Sequence, residues 1–214
     1  MLTRDRVSPL AAEFFGTAIW AYVALVLSET TAVSYFIATS VAVALGVAYM
    51  LFSSVSGGHF NPAITFGMWT ARRITSLRGA GYIVAQLLGG LAAWKLYEYF
   101  TNHSLAAKNV HYSTATLLAE LVGTAILAMG LCAAVARAYT ALESALTIGA
   151  SLFVGVLVAA TASTGILNPA VALGLRSFNA AYILGPLLGG LIGVTLYNWL
   201  FVGTVPRVVR RVKK

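Results

Sequence analysis

Ser56-Gly57-Gly58-His59-Phe60-Asn61-Pro62-Ala63 decides the reading of this chain, because its last tripeptide returns as Asn168-Pro169-Ala170. The two copies lie 107 positions apart, half of the 214-residue length. The same offset carries Glu13 onto Glu120, Gly16-Thr17 onto Gly123-Thr124 and Gly67 onto Gly174. Landmarks recurring at one period indicate two copies of one structural unit. Repeat 1 is expected over about 9–100 and repeat 2 over about 113–203, in a single domain, 1–214, with a basic tail at 204–214.

Each tripeptide also starts a helix. Asn is a good N-cap, and Pro is favoured at the first helical position. Residues 61–70 and 168–177 therefore read as short helices beginning abruptly at Asn. Ten residues rise only about 15 Å, half a bilayer core. A Gly- and Ser/Thr-containing loop that enters a membrane, followed by a half-helix that leaves by the same face, would use such segments. Irregular backbone at that depth is tolerated only where protein buries it or water lines it.

Composition supports a bilayer setting. The chain is 59% hydrophobic and 9% charged, with mean hydropathy +0.85, whereas a soluble domain carries about 25% charged residues. Six stretches, 9–28, 35–54, 80–100, 113–136, 144–163 and 180–203, are each long enough to cross as helices. Three crossings per half invert the second copy relative to the first. The expected fold is an all-α membrane protein with six transmembrane helices and two re-entrant half-helices.

The net charge of +8 is distributed unevenly. Six crossings put both termini on one side, together with Arg4, Arg6, Arg72, Arg73, Arg78, Arg137, Arg207, Arg210, Arg211, Lys213 and Lys214. Lys95, Lys108 and Arg176 fall on or near the other side. This bias predicts cytoplasmic N- and C-termini in a plasma or inner cell membrane. It explains the basic balance without nucleic acid, and the tail is free to meet anionic lipid. The first apolar run is too long for a cleavable leader and contains Glu13. Cys132, the single cysteine, excludes a disulfide framework, and no metal site, cofactor site or nucleophile–base set is expected.

With Glu13-Phe14-Phe15-Gly16-Thr17, Glu120…Gly123-Thr124, Gln86…Gly89-Gly90 and Gly185-Pro186…Gly189-Gly190, the paired motifs resemble the signature of the aquaporin, or major intrinsic protein, family. The resemblance runs from about 9 to 203. It implies a pore through each protomer, half-helices meeting at the midplane and a homotetramer. The two half-helix N-termini, each worth about half a positive charge, would repel cations there. The Asn61 and Asn168 side-chain oxygens would cap their own helices, leaving their NH₂ groups free to orient passing water. Glu13 and Glu120 each precede their Asn by 48 positions. An intramembrane carboxylate is costly, so both are expected to accept loop N–H groups, with Gln86 and His59 as further loop supports. A proton relay through the two Glu residues and a pH gate at His59 are the rival readings.

One position departs from the family. The second motif is followed there by Arg and here by Val171, one turn beyond Asn168. Counting without gaps from the two Asn residues, its filter partners are Val41, Val156 and Gly165. That set lacks Arg, His and aromatic rings, and Arg176 lies two turns further out, towards an outer vestibule. The family's glycerol-conducting members tend to carry Asp soon after that Arg, whereas Ala172-Leu173 follow here. The expected activity is passive passage of water and/or small neutral solutes through an apolar filter. An inverted-repeat secondary transporter and a non-conducting membrane scaffold are the alternatives.

Overall fold

A computed structural model describes residues 3–108 and 111–202. The basic tail residues Arg207, Arg210, Arg211, Lys213 and Lys214 lie outside the described residues. Those described form eight α-helices: α1 Arg4–Thr30, α2 Ser34–Ser56, α3 Pro62–Thr70, α4 Ser76–Thr101, α5 Thr114–Ala136, α6 Ala141–Ala159, α7 Pro169–Gly174 and α8 Ala180–Tyr197. One π-helical turn, Asn198–Val202, continues α8. No strand occurs among the described residues.

Starts are set by local chemistry. Thr75 caps α4, Ser113 caps α5, and Asn179 caps α8 through the amides of Ala181 and Tyr182. Thr140 and Glu143 bond reciprocally in a capping box at α6.

Five helices, α1, α2, α5, α6 and α8 with its π turn, are long and apolar enough to cross a membrane. The sequence reading had six. The helix that falls short, α4, is 26 residues long but carries Arg78, Gln86, Lys95 and Glu98. Its buried Gln86 serves a loop rather than lipid. The second half-helix is also shorter than the expected 168–177. It ends at Gly174, and the chain turns at Arg176, φ 53°. The Ser177 amide reaches back to the Ala172 carbonyl and closes the end. α3 closes in the same way at Arg72, φ 55°, with the Arg73 amide on Met68.

Packing obeys a two-fold rule. α1 packs on α4 as α5 packs on α8, and α1 on α2 as α5 on α6. Each half-helix then crosses over: α3 lies against α8, and α7 against α4. Glycine permits that crossing. A Cβ at Gly90 on α4 would land on the Ala170 carbonyl, and one at Gly190 on α8 would land on the Ala63 carbonyl.

Three contacts orient the bundle. Arg73, just past α3, bonds Asn198 at the end of α8, 2.8 Å. The start of α4 meets the end of α3 through Trp69 and Ser76, 2.9 Å. At the far end of α4, Arg176 after α7 bonds Leu105. The half-helices therefore run from a common centre to opposite ends of the bundle. The described ends of α1 and α8 lie at the α3 end.

Candidate functional site

The site is built where the two half-helices start. Asn61 Oδ1 accepts from the Ala63 amide at 2.8 Å, and Asn168 Oδ1 accepts from Ala170 at 2.9 Å and Val171 at 3.4 Å. Each oxygen thus caps its own helix. Each amide also donates across the junction: Asn61 Nδ2 to the Leu167 carbonyl at 2.9 Å, and Asn168 Nδ2 to the Phe60 carbonyl at 3.0 Å. An amide nitrogen has two hydrogens. One of each pair is committed to protein, which corrects the expectation that both stay free. Phe60 and Leu167 carry left-handed backbones, φ 47° and 55°, and their carbonyls turn toward the opposite loop.

Two buried carboxylates hold these loops. Glu13 accepts from the His59 amide at 3.0 Å, the Phe60 amide at 2.6 Å and Gln86 Nε2 at 2.7 Å. Glu120 accepts from the Ile166 amide at 3.0 Å, the Leu167 amide at 2.6 Å and Ser163 Oγ at 2.7 Å. Both carboxylates are fully buried. Their backbone partners match at the 107-residue offset, while the third donor differs: Gln86 in one half, Ser163 in the other. Gln86 Nε2 also donates to Thr65 Oγ1 at 2.8 Å, and that hydroxyl meets His59 Nδ1 at 3.1 Å. The His59 ring stands edge-on to Tyr82, centroids 5.4 Å apart. His59 is 5% exposed and tied into this network through both its amide and its ring.

A cavity of about 340 Å³ occupies the end of the bundle opposite the described chain ends. Ser28, Thr31 and Ser34 rim it where α1 passes to α2, and it reaches inward to Ile166 and Val171 beside Asn168. The four positions counted as a filter, Val41, Val156, Gly165 and Val171, all line it. Gly165 lies so close to Val156 that a Cβ would meet Val156 Cγ1 at 3.0 Å.

Beyond those four, three lining residues bring chemistry that the filter count did not include. Trp20 on α1 and Tyr182 on α8 bring aromatic rings to the wall, and Lys108 brings an ammonium. Tyr182 fixes the second loop through Thr164, oxygen to oxygen 2.8 Å. Arg176, placed by the sequence reading in the outer vestibule, is absent from this wall. Its guanidinium stacks over Trp94 at 4.6 Å and donates to the Leu105 carbonyl.

A sequence model of the major intrinsic protein family matches residues 3–197. The chain is 34% identical to Aquaporin TIP2-1 of Arabidopsis thaliana over 184 residues, covering 77% of this chain and 71% of that protein. It is 32% identical to Aquaporin TIP1-1 of the same plant over 225 residues, covering 94% and 89%. Among solved structures, the aquaglyceroporin from Plasmodium falciparum superposes with a TM-score of 0.74 at 19% identity, over 95% of this chain and 98% of that one. That likeness carries the fold; the family match over most of the length carries kinship, and the chain belongs to the major intrinsic protein family.

Proposed function

We propose that this multi-pass membrane protein is a passive channel for water and small neutral solutes, with an apolar outer constriction. The observation that carries the reading is the cross-bonded pair of half-helix starts beneath the cavity lined by Val41, Val156, Gly165 and Val171. Asn61, Pro62, Ala63, Asn168, Pro169 and Ala170 form the central passage. Each Asn keeps one amide hydrogen for a passing oxygen, and two half-helix N-termini face the same point. Their partial positive charges oppose cations and break a proton-conducting chain of waters.

Glu13, Glu120, Gln86 and His59 serve as loop anchors. Both carboxylates are occupied by loop amides and by Gln86 or Ser163, which favours anchoring over coupling ion movement to transport. The names of the relatives, aquaporin and aquaglyceroporin, fit a channel of this class. The basic residues near the described ends favour cytoplasmic termini in the cell membrane. Exposed apolar faces such as Val43, Val47 and Leu51 on α2 suit lipid or neighbouring protomers in a homotetramer.

The test is stopped-flow light scattering on proteoliposomes under water, glycerol and urea gradients, with and without an imposed ion gradient. Ion-independent flux of water or a neutral solute supports the channel. Flux that requires the ion gradient replaces it with a coupled transporter, and no flux of any kind replaces it with a scaffold.

A further inference from the structure

The cation missing from position 171 has a counterpart elsewhere in the same passage. Lys108 lies after α4, far in sequence from the half-helices, yet it lines the cavity with Val41, Val156, Gly165 and Val171. Its Nζ stands 3.0 Å from Glu29 Oε1 and 3.3 Å from Ser28 Oγ, both at the end of α1. An ammonium has three hydrogens. Two are directed to these partners, and the third remains for water or a solute oxygen. The Lys108 and Glu29 side chains are 34% and 30% exposed, so the pair sits at the mouth rather than in the core.

The loop that carries Lys108 is held from beneath. The Arg176 carbonyl accepts from the Lys108 amide at 3.0 Å, and the Arg176 guanidinium bonds the Leu105 carbonyl. The Leu105 amide in turn donates to Glu98 at 3.0 Å. Arg176 therefore spends its charge positioning the loop, over the ring of Trp94 and away from the passage. Lys108 is the residue it delivers.

Resting on the channel reading, we propose that Lys108 is the charge-selective residue of the outer passage, with Glu29 setting how much of its charge permeants meet. Neutral solutes that carry an acceptor oxygen bond the free ammonium hydrogen and pass on to the valines. Cations are opposed before they reach the half-helix ends. Because the pair is about one-third exposed, salt weakens the effect, with a screening length of about 10 Å at 0.1 M.

The experiment measures local potential directly. Ser34, exposed on the cavity rim, is replaced by Cys in the full chain. Its modification rates by a cationic and an anionic methanethiosulfonate are then compared in proteoliposomes at low ionic strength. Lys108→Met is expected to raise the cation-to-anion rate ratio about tenfold, the scale of one unit charge acting within one high-dielectric cavity mouth. Glu29→Gln should lower it by a similar factor, the double variant should return near the parent, and added salt should shrink every difference. If Lys108 is only a strap holding the loop, both single variants move the ratio in the same direction or not at all, and either result overturns the proposal. Urea and water flux through the unsubstituted protein are measured in parallel. Their absence removes the channel reading itself, and Lys108's role with it, whereas flux together with an unmoved ratio removes only the role.

Discussion

Asn61 donates its side-chain amide to the carbonyl of Leu167 at 2.9 Å, across the junction of the two half-helices. Asn168 returns an equivalent bond to Phe60 at 3.0 Å. Each Asn therefore joins the halves as well as capping a helix, and losing either side chain should damage assembly as much as passage. Removing an N-cap costs about 1 kcal/mol, and stranding a buried carbonyl costs about 1–3 kcal/mol more. Asn61→Ala and Asn168→Ala are expected to lose about 2–4 kcal/mol each, read as a lower unfolding temperature in matched detergent. A variant of native stability with altered flux alone would contradict the joining role.

The carboxylate anchors lead to a second expectation. Glu13 and Glu120 each accept three hydrogen bonds, all from buried donors except that of the half-buried Ser163. Gln in their place keeps one acceptor oxygen and turns an NH₂ against donors that already point inward. Glu13→Gln and Glu120→Gln should destabilise by about 1–3 kcal/mol each, with folded yield falling at every pH tested. Normal folding combined with loss of pH-dependent transport would favour a proton relay.

The sequence made the symmetric parts of this architecture legible because they rest on local chemistry written twice. Asn-Pro followed by helix-compatible residues favours a helix start, and a matched offset pairs Glu13 with Glu120 before any coordinates are known. The asymmetric parts needed the fold. The stop of α7 at Gly174, three residues short of the expected end, depends on the turn at Arg176 and its reach to Leu105. Nothing local to Lys108 indicates that its loop folds over the mouth, and only the fold brings Trp20 to the cavity wall. The polar character of α4 was visible in Gln86, Lys95 and Glu98. An inward-facing Gln reads as a weaker span until its partners Glu13 and Thr65 are seen.

Cys132 supports a negative prediction. It is 5% exposed within the packed face of α5 and is not among the residues lining the cavity. Mercurials need a thiol they can reach in or beside the passage. Osmotic water flux in proteoliposomes is expected to change little on brief mercuric chloride treatment. Strong inhibition that disappears in Cys132→Ser would place this thiol beside the passage.

Val171 carries the sharpest prediction about selectivity. It follows the second Asn-Pro-Ala directly, its amide lies 3.4 Å from Asn168 Oδ1, and it lines the cavity beside Val41, Val156 and Gly165. On the proposed reading, these four side chains offer passing water no donors, and a solute would be resisted there mainly by its size. Arg at this position would add a guanidinium with five N–H donors and a fixed charge in a confined passage. Its bulk would take up part of the cavity of about 340 Å³ that Trp20 and Lys108 also line. Val171→Arg should therefore lower urea and glycerol permeability severalfold while reducing water permeability much less, and it should lower any residual proton leak. Paired water and solute measurements at equal protein incorporation decide the matter. A native channel that already rejects every solute larger than water, or a Val171→Arg variant with unchanged selectivity, would show that the constriction lies elsewhere along the passage.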